Sequence, residues 1–139
     1  MKNIALWGIP LFFLLQLTGN AADKPKPSPN GIEFPAGYQN WKLISMSHRV
    51  DNNTVRVILG NDTAVKASRS GKTNPWPDGT ILGKIVWKQA TAVDWKKAIV
   101  PGKFVHAEFM FKNSKKYAKT VGWGWARWKG MDQKPYGKD

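Results

Sequence analysis

The sequence predicts an α+β fold, a mostly antiparallel β-sheet with one or two short helices in a single domain. Two runs of alternating side chains, residues 81–88 and 104–112, indicate strands, because successive side chains on a strand point to opposite faces. A short helix is indicated between a cap at Asn61 or Asp62 and a stop at Gly71. A chain of 139 residues is long enough for one domain with a core and too short for two ordinary domains.

The run at residues 81–88 predicts a central strand covered on both sides, because both of its faces are largely apolar. Lys84 is the exception, since alternation places it between Leu82 and Val86 on one face. If its amine is desolvated, burial disfavours the charged form and leaves a more nucleophilic group. The alternative is an aliphatic stem that lies along an apolar surface with its ammonium in water.

The other segments complete the predicted order. Residues 34–41 indicate a proline-started turn or short helix that presents two aromatic side chains to one side. Strands follow at 41–46 and 55–59, where β-branched and aliphatic residues predominate. Residues 90–100 are an ambiguous segment with apolar residues at helical spacing.

The run at residues 104–112 combines a predicted core face with a polar face. The predicted core side chains are Val105, Ala107, Phe109 and Phe111, and the opposite face carries Phe104, His106, Glu108, Met110 and Lys112. A carboxylate beside an aromatic wall is able to relay protons, whereas the alternative for His106 and Glu108 is a solvated strand face. No metal site is predicted, because His48 and His106 are far apart and no second carboxylate stands at ligand spacing.

In the final predicted strand, residues 121–128, large side chains alternate with small ones. The large ones are Trp123, Trp125 and Arg127, and the small ones are Gly122, Gly124 and Ala126. A face without bulk lets a backbone, a partner sheet or a ligand approach closely, although a tryptophan face is most often core. Arg127 has two alternatives, stacking on the tryptophans or pairing with Glu108.

Composition restricts the partners. The 22 Lys and Arg residues against nine Asp and Glu give a net charge of +13, which suits nucleic acid, acidic lipid or an acidic redox protein. The lysines are scattered without an arginine-rich run, and an exported protein rarely meets nucleic acid, so nucleic-acid binding is not expected. The absence of Cys excludes a disulfide, a thiolate metal site and a cysteine nucleophile in this chain.

Residues 1–21 have the features of a signal peptide: Lys2, an apolar run and a small-x-small cleavage pattern at Gly19-Asn20-Ala21. Cleavage predicts a periplasmic protein with no membrane segment. Residues 22–31 form a Pro- and Lys-rich leader with nothing apolar to bury, which predicts a flexible spacer. The domain itself is predicted at residues 32–139.

Several short stretches, in their order and spacing, resemble the cytochrome P-460 family over residues 32–131. They are Phe34-Pro35 with Tyr38 and Trp41, VRVILGN at 55–61, PDGT at 77–80 with Lys84 beyond it, EFMFKNSKKY at 108–117 and GWGWARW at 122–128. The resemblance implies antiparallel strands with a helix, and a homodimer. It also implies haem: family enzymes oxidise hydroxylamine at a c-type haem, and the related beta-type cytochromes c′ bind nitric oxide there.

The resemblance also assigns roles to residues. Lys84 matches the lysine that forms a covalent crosslink to the haem, and Glu108 matches the distal-pocket glutamate that relays protons. Trp123, Trp125 and Arg127 are candidates for the wall of the cofactor pocket.

The chain departs from the family at one point, because it lacks the C-x-x-C-H haem motif and has no Cys. Covalent c-type attachment of haem is therefore not expected in this chain. Two interpretations remain: a sequence truncated before that motif, or a haem-less relative. The first leads to a periplasmic cytochrome P-460-like protein acting on a small nitrogen compound. The second leads to a haem-less module that binds a small hydrophobic ligand or an acidic partner through a Trp-lined basic pocket. Catalysis by the chain as it stands is not expected.

Overall fold

The computed structural model describes residues 24–137, which form one antiparallel sheet of six strands in chain order. The α+β prediction is confirmed. Among the residues described, no helix has the length and apolar character needed to cross a membrane. The elements are β1 (Lys42–Arg49), β2 (Thr54–Gly60), α1 (Asp62–Arg69), β3 (Ile81–Thr91), β4 (Ile99–Lys112), β5 (Trp123–Lys129), β6 (Lys134–Tyr136) and short 3-10 turns at Tyr38–Asn40 and Ala118–Thr120.

One face of the sheet carries the hydrophobic core. Phe109 of β4 and Trp128 of β5 are completely buried there, and Phe34 packs edge-on against both. The rings of Tyr38 and Trp41 lie 5.2 and 6.1 Å from that of Phe109, so the predicted turn does present both aromatics to one side. Burial of these large rings provides much of the hydrophobic stabilisation of the fold.

The opposite face, which carries Lys84 and which we call the site face, is covered at one end by α1. The helix begins at the predicted cap, where Asn61 Oδ1 accepts from the backbone N–H groups of Ala64 and Ile81 at 3.0 and 3.1 Å. Ala64 lies over Gly60, where an added Cβ would be only 2.8 Å from the Ala64 Cβ. The prediction that β3 is covered on both sides needs correction: Val86 is buried on the site face, but Lys84 is partly exposed.

One local prediction on β4 was wrong, and one ambiguous segment is resolved. Residues 92–98, within the segment of helical spacing, form the connection of a hairpin, with Val93 and Trp95 82% and 67% exposed, because Thr91 pairs with Ile99 and continues the sheet. Phe104 belongs to the core face, where its ring packs edge-on against Trp87. The reason is a register shift between β3 and β4 next to Val105, because an extra residue at a β-bulge reverses the alternation.

The leader also differs from the prediction over the residues that the structure describes. The Trp128 indole N–H donates to the Lys26 carbonyl at 2.8 Å, and the Asn30 side-chain amide donates to the Trp125 carbonyl at 2.8 Å. Ser28 is buried. Residues 26–30 are therefore attached to the domain, since they satisfy polar groups of β5 that need partners. The predicted signal peptide lies outside the described residues.

Candidate functional site

The site face brings three predicted residues into one row across three strands. In the sheet register Lys84 of β3 is opposite Glu108 of β4, and Glu108 is opposite Arg127 of β5. Residues opposite one another in antiparallel strands lie on the same face with their side chains in reach. Of the two alternatives for Arg127, the structure has the pairing with Glu108.

Glu108 is the centre of this cluster. The Lys84 Nζ lies 2.5 Å from Glu108 Oε1, and the Arg127 Nε donates to Oε2 at 2.7 Å, with Nη2 also donating. The Glu108 side chain is 15% exposed, against 30% for Lys84 and 38% for Arg127. Lys84 thus matches neither a desolvated, more nucleophilic amine nor a stem with its ammonium in water. Its side chain is partly buried, and its ammonium has a carboxylate partner.

The two cations determine the charge of the carboxylate. Burial by itself raises the pKa of Glu108, but the hydrogen bonds and charges of Lys84 and Arg127 outweigh it, and the pKa is lower than the ordinary value. Glu108 is therefore ionised at neutral pH. The same two cations make this carboxylate a weaker base than an unpaired one.

His106 lies beside this cluster, in the next row of the sheet. Its Nε2 is buried without a hydrogen-bond partner in the structure and lies 4.0 Å from Glu108 Oε2. Burial lowers the pKa of His106 to about 4, and the positive charge of Arg127 adds to this effect. The imidazole is therefore neutral at neutral pH. The His106 side chain, like that of Glu108, is only 15% exposed, so these two residues do not form a solvated strand face.

The two tryptophans occupy different places on the site face. Trp125, opposite Met110, is 44% exposed and lines a concavity of about 330 Å³ together with Glu108 and Arg127. Trp123 lies farther along β5, under the Lys112 ammonium at 5.6 Å, and does not line this concavity. Neither tryptophan joins the buried core cluster, which lies on the other side of the sheet.

Sequence reasoning missed two contributors to the site face. Arg56 of β2 is in the row of Val86 and His106, but its register cannot be derived from the alternation of one strand. Tyr136 of β6 lies under the Arg127 guanidinium at 5.9 Å. The sequence signal for β6 is weak, because that strand has only three residues.

Fold and site together define a small antiparallel-sheet protein with a charged, partly buried row of side chains on one face of its sheet. The Cytochrome P460 family model matches residues 35–139, and the chain belongs to that family, as the resemblance predicted. A comparison with curated proteins gives no match.

Haem is the cofactor of this family, and the residues present do not fit its covalent c-type form. No Cys exists among the 139 residues to form a thioether. Of the two histidines, His48 is exposed and hydrogen-bonded to Gln89 at 2.6 Å, and His106 is beside Glu108. Across residues 24–137, no three His, Asp or Glu side chains are grouped to hold a metal ion. What the site face does offer is an apolar row of Leu82, Met110 and Trp125 next to the charged row, a surface suited to a flat ligand held without covalent bonds.

Proposed function

We propose that this protein is a periplasmic, ligand-binding member of the Cytochrome P460 family, with the row Lys84, Glu108 and Arg127 as one wall of its pocket. The family chemistry is haem-dependent oxidation of hydroxylamine or binding of nitric oxide. A haem in this chain would be held without thioether bonds. The observation that carries the proposal is the partly buried Glu108 carboxylate between two cations, beside the apolar row.

The residues of this wall have separate tasks. Glu108 holds a negative charge at a defined place, because Lys84 and Arg127 keep its pKa low. Arg127 and Lys84 retain exposed surface, so each is able to turn a donor toward a small polar ligand. When Lys84 leaves the carboxylate, the pKa of Glu108 rises and the group becomes able to accept a proton. The apolar row excludes water on the adjoining side.

The test is a haem titration of the mature protein, followed by Soret absorbance. We expect saturable binding that is weakened in Lys84→Met and Glu108→Gln, and unchanged in Lys97→Met, a matched loss of an exposed lysine in the 92–98 connection. Acid-acetone should extract the haem completely. Absence of saturable binding would contradict the proposal, and so would a haem band that survives denaturing electrophoresis in both the wild type and Lys84→Met.

A second candidate is the haem-less module that binds a small hydrophobic ligand or an acidic partner. The exposure of Trp125 beside a 330 Å³ concavity favours it, as does the absence of Cys. Small apolar probes should then quench tryptophan fluorescence in the wild type and do so less in Trp125→Ala, without any saturable haem binding. Trp123→Ala is the matched control.

Location and partners complete the proposal. Export predicts a mature N-terminus at or next to Ala22, which mass spectrometry of the secreted protein measures, and an intact Met1 in a cytoplasmic fraction would refute it. The net charge of +13 favours an acidic redox partner over a neutral one. Light scattering tests the homodimer that the family resemblance implies.

A further inference from the structure

Beyond Glu108, the site face forms a second concavity of about 320 Å³ that is strongly basic. Its charged lining residues are Arg49, Arg56, Lys84, Lys88 and Arg127, without a carboxylate. Three of these cations have partners, because Arg49 pairs with Asp51, and Lys84 and Arg127 pair with Glu108. Arg56 and Lys88 form no ion pair within residues 24–137. Two positive charges are therefore left without a counterion in one recess.

Arg56 is held in place by its neighbours on β2 and the preceding turn. Its Nη2 donates to Thr54 Oγ1 at 2.9 Å, and the Thr54 hydroxyl donates to Asn52 Oδ1 at 2.6 Å. Thr54 is itself buried, so this chain of bonds fixes the guanidinium. The Arg56 Nε, in contrast, is buried without a hydrogen-bond partner among the described residues. An unpaired buried donor is unfavourable, and the structure leaves this one free for an acceptor.

A second residue with an unpartnered polar atom, His106, lines the same recess from another strand. His106 Nε2 is buried and without a partner, and Val86 stands between Arg56 and His106 in the sheet register. Val86 is 3% exposed, so it forms the floor between them. A neutral imidazole is able to carry its proton on Nε2 and donate it. Arg56 and His106 therefore line one recess, and each has a buried nitrogen without a hydrogen-bond partner among the described residues.

We propose that this recess binds a small tetrahedral oxyanion such as phosphate or sulfate between Arg56 and His106, with Lys88 balancing the remaining charge. A guanidinium fork binds two oxygens of such an anion at once. The two unpaired positive charges, on Arg56 and Lys88, match the charge of a dianion better than they match the single charge of chloride. The inference does not require haem, and its test is independent of the proposed function, although the recess shares Lys84 and Arg127 with the proposed pocket wall.

The test is calorimetric titration of the haem-free mature protein with phosphate and with sulfate, at constant ionic strength set with chloride. We expect saturable binding in the wild type and a loss of affinity on the order of tenfold or more in Arg56→Met. Arg56→Lys keeps the charge and loses the fork, so its affinity should be intermediate. Lys97→Met is the matched control for a lost surface charge and should bind like the wild type.

Equal weakening in Arg56→Met and Lys97→Met would overturn the proposal, because it indicates general screening of a basic protein. Absence of saturable binding in the wild type would overturn it directly. If circular dichroism shows that Arg56→Met does not fold, Lys88→Met carries the test, because Lys88 is exposed. Its affinity should then fall several-fold, and an unchanged value would refute the site.

Discussion

At the scale of single residues, the site depends on one carboxylate with two cationic partners. Glu108 is the more buried member, and each of its oxygens accepts from a different side chain. Because Lys84 and Arg127 share Glu108, the loss of Glu108 and the loss of either cation have different effects on stability. Removal of Glu108 leaves two cations side by side, whereas removal of Lys84 leaves Glu108 paired with Arg127.

Glu108→Gln should therefore destabilise the protein more than Lys84→Met does. We expect a loss of about 2 kcal/mol for Glu108→Gln, between the values for exposed and buried pairs. Lys84→Met should cost about 1 kcal/mol or less, because its aliphatic stem is retained. Urea denaturation at neutral pH measures both. An equal loss in the two variants would show that Arg127 does not support the carboxylate on its own.

The stability should also depend on pH through His106. Its pKa is about 4 in the folded protein, below the ordinary 6.5, so between these values the unfolded state binds the extra proton. Stability therefore falls as the pH is lowered from about 6.5 to about 4. Glu108, whose pKa is lowered as well, adds a further loss at the acid end of this window.

His106→Gln should flatten the pH dependence of stability in the upper part of this window. Denaturation midpoints at a series of pH values measure the slope. His48→Gln, which removes an exposed histidine, is the control and should retain it. A slope unchanged in His106→Gln would mean that the imidazole already binds its proton in the folded state.

At the scale of elements, strand β5 shows how small residues make room. Gly124 lies on the core face, where an added Cβ would be 2.4 Å from the Tyr117 ring. The close approach inferred from the alternation of large and small residues is thus real. At Gly124 the group that approaches is the aromatic ring of Tyr117, a side chain of the same domain. The alternatives predicted from the sequence were a backbone, a partner sheet or a ligand.

Gly124→Ala should accordingly destabilise the fold by about 1–3 kcal/mol, the usual effect of overpacking. The thermal midpoint measures it. Gly124→Ala combined with Tyr117→Leu should recover part of the loss, because the smaller side chain leaves room for the methyl group. Without such recovery, the contact with Tyr117 would not be the cause of the loss.

At the scale of the whole molecule, the N-terminal segment and the sheet belong together. Residues 26–30 are far from β5 in the sequence, yet they are hydrogen-bonded to it. The Lys26 carbonyl accepts from the Trp128 indole, and the Asn30 amide donates to the Trp125 carbonyl. Residues 26–30 are therefore expected to be part of the folded domain in solution.

Deletion of residues 22–31 should destabilise the domain by roughly 1–3 kcal/mol, because the buried Trp128 indole loses its acceptor. Trp128→Phe in the chain that retains residues 22–31 is a second measurement that removes the donor instead. Limited proteolysis provides a check, since cleavage before Ile32 should be slow in the intact protein. Rapid cleavage there would mean that the segment is detached in solution.

Much of the fold could be predicted because its causes are local. Alternation in residues 81–88 and 104–112 is a property of neighbouring residues, and so is the Asn61 cap of α1. The helical spacing at residues 90–100 left that segment ambiguous, and the pairing of Thr91 with Ile99, which overrides the local pattern, decides it. Phe104 was assigned to the wrong face for a similar reason, since a bulge depends on the partner strand.

The sequence by itself therefore determined the class of fold, the capped helix and the identity of the residues that carry charge into a sheet. Only the tertiary structure decided which of these residues meet. Lys84, Glu108 and Arg127 form one row, and Arg56 and His106 line the recess beside it, because strand register sets every cross-strand neighbour at once. Register depends on turns, bulges and core packing across the whole sheet, and no single stretch of sequence contains it.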